Sequence, residues 1–77
     1  MTELEMGDAF GVPEYFATSC NVEDAGGGCV RIYGCTGRHG VLIPHYTVVM
    51  PAQNMMRASQ RVMEISKRIL CGVGMAH

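Results

Sequence analysis

The chain has 77 residues, of which 48% are hydrophobic and 17% are charged, and its formal net charge is −1. This length allows one domain at most, and a sequence pI of about 6.2 argues against a dedicated nucleic-acid-binding protein. The acidic segment from Met1 to Asp8 lacks the pattern of a signal peptide, and no apolar run approaches the ~18 residues needed to span a membrane. We therefore expect a cytoplasmic protein without a membrane partner.

The first part of the chain is predicted to be an acidic N-terminal arm over residues 1–13, followed by a single small domain over residues 14–77. The arm contains Gly7 and Gly11 and shows no sustained hydrophobic period. Apolar and polar residues then alternate from Glu14 to Glu23, which predicts the first β-strand.

Two turns separate three predicted strands. Acids followed by three glycines in residues 23–28 indicate a hairpin. The Lys-Ser/Thr pair and the following helix of a phosphate-binding loop are missing there. The second strand is predicted from Cys29 to Thr36 and the second turn over residues 37–40. Because proline cannot donate to a ladder, the paired part of the third strand is expected to begin at His45, after Pro44.

The clearest signal in the chain is an amphipathic helix from Pro51 to Cys71. A helical period places its apolar residues on one face and its polar residues on the other. Pro51 suits the first helical position, and Gly72 suits the residue that ends a helix. The apolar stripe consists of Ala52, Met55, Met56, Ser59, Val62, Met63, Ser66, Ile69 and Leu70. Its two serines allow close approach, either to a sheet or to a second helix.

These elements predict an α+β fold: a three-stranded antiparallel meander followed by one long C-terminal helix packed on one sheet face. The face expected to carry the helix holds Phe16, Cys20, Val22, Val30, Ile32, Tyr46 and Val48. The face expected to stay bare holds Tyr15, Ala17, Cys29, Tyr33, Cys35, His45 and Val49. A bare, half-apolar face on so small a domain predicts a protein partner.

Three segments, Tyr15-Phe16-Ala17, Val30-Arg31-Ile32 and Val48-Val49-Met50-Pro51-Ala52, resemble those of a small uncharacterised bacterial family, the domain of unknown function three-four-six-seven. The resemblance covers residues 14–70. It differs from the family pattern in that Met50 directly precedes Pro51, where the family has an extra residue. Because that family has no established activity, the resemblance implies a small strand–strand–strand–helix fold and no chemistry.

Cysteine and histidine side chains suggest a metal or small-ligand site as an alternative. The candidate ligands are Cys20, Cys29, Cys35, Cys71, His39, His45 and His77. Paired ligands at zinc-site spacing are absent, since the sequence has no Cys-x-x-Cys. Cys35, His39 and His45 could still converge near the second turn and hold zinc. A catalytic Cys35 would also need an oxyanion site and a concave surface, so we expect neither an enzyme nor a resident cofactor.

The sequence therefore favours a non-catalytic interaction protein, acting as a homo-oligomer or as an accessory subunit of a larger complex. A second alternative is weak nucleic-acid binding through the basic helix face formed by Arg57, Arg61, Lys67 and Arg68. The residues predicted to form the protein interface are Tyr15, Tyr33, Val49, Met56, Met63, Arg57, Arg61 and Arg68.

Overall fold

The computed structural model describes residues 4–74. In chain order it contains β1 (Ser19–Gly26), β2 (Cys29–Arg38), β3 (Val41–Pro51) and α1 (Ala52–Gly74). The strands form one antiparallel sheet in the order β1-β2-β3, so that β2 is the central strand. This confirms the α+β prediction of a three-stranded meander followed by one long helix. No helix within residues 4–74 has the length and apolarity needed to cross a membrane.

Two-residue turns connect the strands and explain why both hairpins form. Gly27 and Gly28 link β1 to β2 with φ angles of 62° and 78°, and His39 and Gly40 link β2 to β3 with φ angles of 52° and 76°. Positive φ at both central residues matches the right-handed twist of the flanking strands. Glycine adopts this conformation without steric cost, whereas His39 is held in it by the hairpin.

The third strand begins earlier than predicted. Val41 already pairs with Arg38, and Pro44 lies opposite Cys35, so the expected start at His45 was wrong. The register shifts at Gly34 and Cys35, which leaves His45 as the extra residue of a β-bulge. Because β3 is an edge strand and the ladder is interrupted beside it, Pro44 fits there despite lacking an N–H group.

The first strand begins later than predicted, at Ser19 instead of Glu14. The amide of Thr18 still donates a 2.9 Å hydrogen bond to the carbonyl oxygen of Cys35. Upstream of β1, the ring of Tyr15 stacks on Tyr46. The alternation of apolar and polar residues over residues 14–18 therefore extends beyond the residues that pair in the sheet.

The helix is displaced by one residue at its start and by three at its end from the predicted range. Pro51 is the last residue of β3 and pairs with Cys29, and Ala52 is the first helical residue. The amide of Ala52 donates a 2.9 Å hydrogen bond to the carbonyl oxygen of Gly28, which satisfies one free donor of the first turn. Gly72 does not end the helix. Glycine inside a helix costs only about 1 kcal/mol relative to alanine, so the helix can continue through it.

The helix does not cover a sheet face, which corrects the predicted packing. Met55 is half-buried, whereas Val62 and Ile69 in the apolar stripe are 61% and 57% exposed. The cause is the connection: β3 passes directly into α1, without a loop that could turn the helix back across its own sheet. The radius of gyration is 15.3 Å, against about 11.5 Å for a compact domain of this length.

Candidate interaction surface

One face of the sheet is apolar and uncovered. The register places Val22, Ile32 and Val48 in one row across all three strands, with Asp24, Val30 and Met50 in a neighbouring row. Val22 is 56% exposed and Val48 is 41% exposed. We call this the apolar sheet face, and its members are Cys20, Val22, Val30, Ile32, Tyr46, Val48 and Met50. These include six of the seven residues predicted to share the helix-bearing face. The seventh, Phe16, lies outside β1 and is exposed.

The opposite face carries a polar network instead of the half-apolar surface that was expected there. Glu23, Arg31 and Val49 form one row of the register. Arg31 Nη1 donates to Glu23 Oε1 at 2.8 Å, and the Tyr33 hydroxyl donates to the same oxygen at 3.1 Å. The hydrogen bond from Arg31, followed by that from Tyr33, lowers the pKa of the Glu23 carboxyl. Two predicted interface residues, Tyr33 and Val49, therefore lie on a polar sheet face, where charges already have partners.

An aromatic stack closes one end of the apolar sheet face. Tyr46 pairs with Gly34 across the β2–β3 ladder, and its ring occupies the space that a Cβ at Gly34 would need. The ring of Tyr15 stacks on Tyr46 with centroids 5.8 Å apart and an interplanar angle of 22°. The N-terminal segment is thus held over the sheet by stacked rings, a geometry that contributes about 0.5–1.5 kcal/mol beyond burial. Tyr15 therefore lies on the same sheet face as Tyr46, and its predicted assignment to the opposite face was wrong.

The helix presents the second uncovered apolar surface. Met56, Met63 and Leu70 are 67%, 56% and 65% exposed, respectively. The helix stripe is defined here as Met55, Ser59, Val62, Met63, Ser66, Ile69 and Leu70, with Met56 at its edge.

Basic side chains lie on the other side of the helix. Arg57, Arg61 and Arg68 are all exposed, and Arg61 Nη1 lies 3.0 Å from Glu64 Oε1. This ion pair is exposed at both ends and contributes little to stability. Basic residues are therefore available to surround an interface formed by the helix stripe.

The corner between helix and sheet opens on the apolar sheet face. Ala52 lines a cleft of about 430 Å³ together with Val22 and Val30 from that face and Gly28 from the β1–β2 turn. The helix therefore starts beside this face and then extends away from it. The resulting corner is open to a chain segment from outside.

The predicted metal site is not assembled within the described residues. Cys35 is 2% exposed, and its thiol lies 3.6 Å from the carbonyl oxygen of Tyr33. His39 forms the β2–β3 turn, four residues and about 13 Å along β2 from Cys35. His45 Nε2 lies 2.7 Å from Thr36 Oγ1. Residues 4–74 contain no cluster of three metal-binding side chains, and His77 lies outside this range.

A scan of protein-family models and searches of curated proteins and of solved structures found no match to this chain. The resemblance of residues 14–70 to the small bacterial family therefore stays a prediction.

Proposed function

We propose that this chain is a non-catalytic interaction protein whose apolar surfaces are covered by another protein chain, either a second copy or a larger partner. The observation that carries the proposal is the absence of a core. Among residues 4–72, whose burial is described, the one hydrophobic side chain that is buried is that of Cys35. An isolated domain of this size would place its valine, isoleucine and methionine side chains inside.

The surface area supports the same proposal. The accessible surface is 6909 Å², whereas a compact monomer of 8.4 kDa exposes about 4,600 Å². Ordering a chain of this length costs on the order of 100 kcal/mol in conformational entropy. Hydrophobic burial is the main driving force that offsets this cost, and an isolated chain in this conformation obtains little of it.

The distribution of polar residues supports a defined interface rather than nonspecific association. Glu23 and Arg31 form an ion pair on the polar sheet face, and basic residues occupy the helix side opposite the stripe. Protein interfaces commonly have an apolar centre with a charged or polar rim. In this proposal the apolar sheet face and the helix stripe form the centre, and Arg57, Arg61 and Arg68 belong to the rim.

Native mass spectrometry of the freshly purified full chain tests the proposal, combined with thermal unfolding at protein concentrations spanning two orders of magnitude. Association predicts either a defined oligomer whose Tm rises with concentration or a monomer without a cooperative unfolding transition. A monomer that unfolds cooperatively with a Tm independent of concentration would overturn the proposal. A bound-ion mass of about 65 Da would instead favour the zinc alternative.

A further inference from the structure

We infer that two copies of this chain exchange α1, so that the helix stripe of each copy packs on the apolar sheet face of the other. The inference rests on the proposed function and specifies the partner and the mode of contact. The contact is reciprocal, as in an isologous dimer with twofold symmetry. Each copy supplies one helix and receives one.

The connection between β3 and α1 is too short for the helix to fold back on its own sheet. Pro51 ends the strand and Ala52 begins the helix, with no residue between them. Reversing the chain direction takes a turn, and connections between elements usually have 2–6 residues. The hydrogen bond from Ala52 to Gly28 further fixes the start of the helix beside the β1–β2 turn. The helix therefore cannot lie on its own sheet, whereas the sheet of a second copy is free of this restriction.

The helix and the apolar sheet face match in size and chemistry. The helix has 23 residues and is about 34 Å long. Strands β2 and β3 have 10 and 11 residues and extend about 33–36 Å. Both surfaces are apolar apart from Asp24 at the edge of the sheet face, and the small side chains of Ser59 and Ser66 allow the helix to approach a sheet closely. The cleft lined by Val22, Val30 and Ala52 is the open corner beside which an incoming helix would lie.

The excess exposed area of one copy is of the size that a stable dimer buries. The chain exposes about 2,300 Å² more than a compact monomer of its mass. Obligate dimers bury about 1,000–2,500 Å² on each partner. The excess exposure of one copy is therefore within the range that an obligate interface covers.

Charge does not oppose this contact. Arg57, Arg61 and Arg68 are exposed and lie on the helix side opposite the stripe, so they stay outside a helix-on-sheet interface. Asp24 is the acidic residue on the apolar sheet face, and it lies in the edge strand β1.

Two neighbouring residues of β3 provide a matched test. Val48 lies on the apolar sheet face and Val49 on the opposite face, and they are 41% and 50% exposed, respectively. Val48→Asp is expected to weaken the dimer about 100-fold, because it places a carboxylate in both copies of the interface. Val49→Asp is expected to change the dimer Kd by less than about threefold. Kd is measured by analytical ultracentrifugation.

Complementation between two damaged chains tests the reciprocal contact directly. Ile69→Lys damages the helix stripe, and Gln60→Lys on the polar side of the helix is its control. A mixture of Val48→Asp and Ile69→Lys chains can form a heterodimer with one native helix–sheet contact and one that pairs the two new charges. Native mass spectrometry is expected to show this heterodimer at a protein concentration where neither variant forms its own dimer.

Each outcome decides between the two proposals. A normal dimer of the Val48→Asp chain, or no heterodimer in the mixture, would overturn helix exchange and leave association through another surface. A wild-type chain that is unfolded alone would overturn the second copy as partner and leave a larger partner. A cooperatively folded wild-type monomer would overturn both.

Discussion

The ring of Tyr46 lies directly over Gly34, where any other residue would carry its Cβ. Gly34 and Cys35 are the two buried residues within residues 4–72. Both lie in β2 opposite the β-bulge that His45 forms in β3, and Gly34 lies beneath the ring of Tyr46. Tertiary packing within one copy is therefore concentrated at this end of the sheet, while the middle of the apolar sheet face stays open.

Gly34→Ala is expected to destabilise the fold. The added methyl group overlaps the Tyr46 ring, so the ring must move and its stacking on Tyr15 is lost. Overpacking of this kind lowers the free energy of unfolding by about 1–3 kcal/mol. Urea denaturation at a fixed protein concentration measures the change.

Gly37→Ala in the same strand is the control. A Cβ at Gly37 meets no heavy atom within 4 Å, so Gly37→Ala should change the free energy of unfolding little. The difference between the two variants then measures the cost of the overlap with Tyr46. Equal destabilisation by Gly34→Ala and Gly37→Ala would show that glycine matters in β2 only through backbone freedom, and that the ring has no special role.

The sequence predicts this aromatic contact poorly for a definite reason. Counting back from the His39-Gly40 turn places Gly34 opposite His45, one residue short of Tyr46. The bulge at His45 shifts the register by one and brings Tyr46 onto Gly34. A bulge has no reliable sequence signal beyond a nearby proline, here Pro44, which instead suggested a later start of the strand.

Glu23 is expected to make the stability of the protein depend on acidic pH. Its pKa is lowered by hydrogen bonds from Arg31 and Tyr33, so the carboxylate form stabilises the folded state. This contribution is fully present above the pKa of the unfolded chain and is lost as the pH falls through the pKa of the folded chain. Glu23→Gln should therefore lower stability at pH 7 and make little difference at pH 2.

Carboxyl NMR titration checks the cause. Tyr33→Phe removes one of the two donors and should raise the pKa of Glu23 part of the way to its ordinary value. Replacing Arg31 with Gln should raise it further, because Arg31 makes the larger contribution. The same pH dependence of stability in wild type and Glu23→Gln would contradict this account.

Thiol labelling should separate Cys35 from the other cysteines. Cys35 is buried, whereas Cys20 and Cys71 are exposed in a single copy. Under native conditions iodoacetamide should alkylate Cys35 at least about 100-fold more slowly than Cys71, because reaction requires local unfolding. Peptide mass spectrometry after timed quenching gives the rates.

Cys20 lies on the apolar sheet face and reports on its coverage. Its alkylation should slow as the protein concentration rises through the dimer Kd, and Val48→Asp should abolish that protection. Cys35 should stay protected at every concentration at which the chain is folded. Fast alkylation of Cys20 at all concentrations would show that this face remains open to solvent.

The helix shows how far periodicity alone can predict. Its apolar stripe was recognised because residues such as Val62, Ile69 and Leu70 recur with a helical period. Periodicity indicates that a face is to be covered, but it does not specify which chain covers it. Which chain covers it depends on the length of the connection between β3 and α1. A shift of one residue in the predicted end of the strand decides whether this connection contains a loop.

The hydrogen bond between the Ala52 amide and the Gly28 carbonyl should control the direction of the helix. Ala52→Pro removes the donor but remains compatible with the first helical position, where proline is favoured. Losing this bond should lower the free energy of unfolding by about 1 kcal/mol. It should also weaken dimerisation, because the helix would no longer leave the sheet at one angle suited to the second copy.

Ala52→Gly keeps the amide and serves as the control in urea denaturation and in analytical ultracentrifugation. If Ala52→Pro and Ala52→Gly behave alike in both measurements, the bond to Gly28 does not orient the helix.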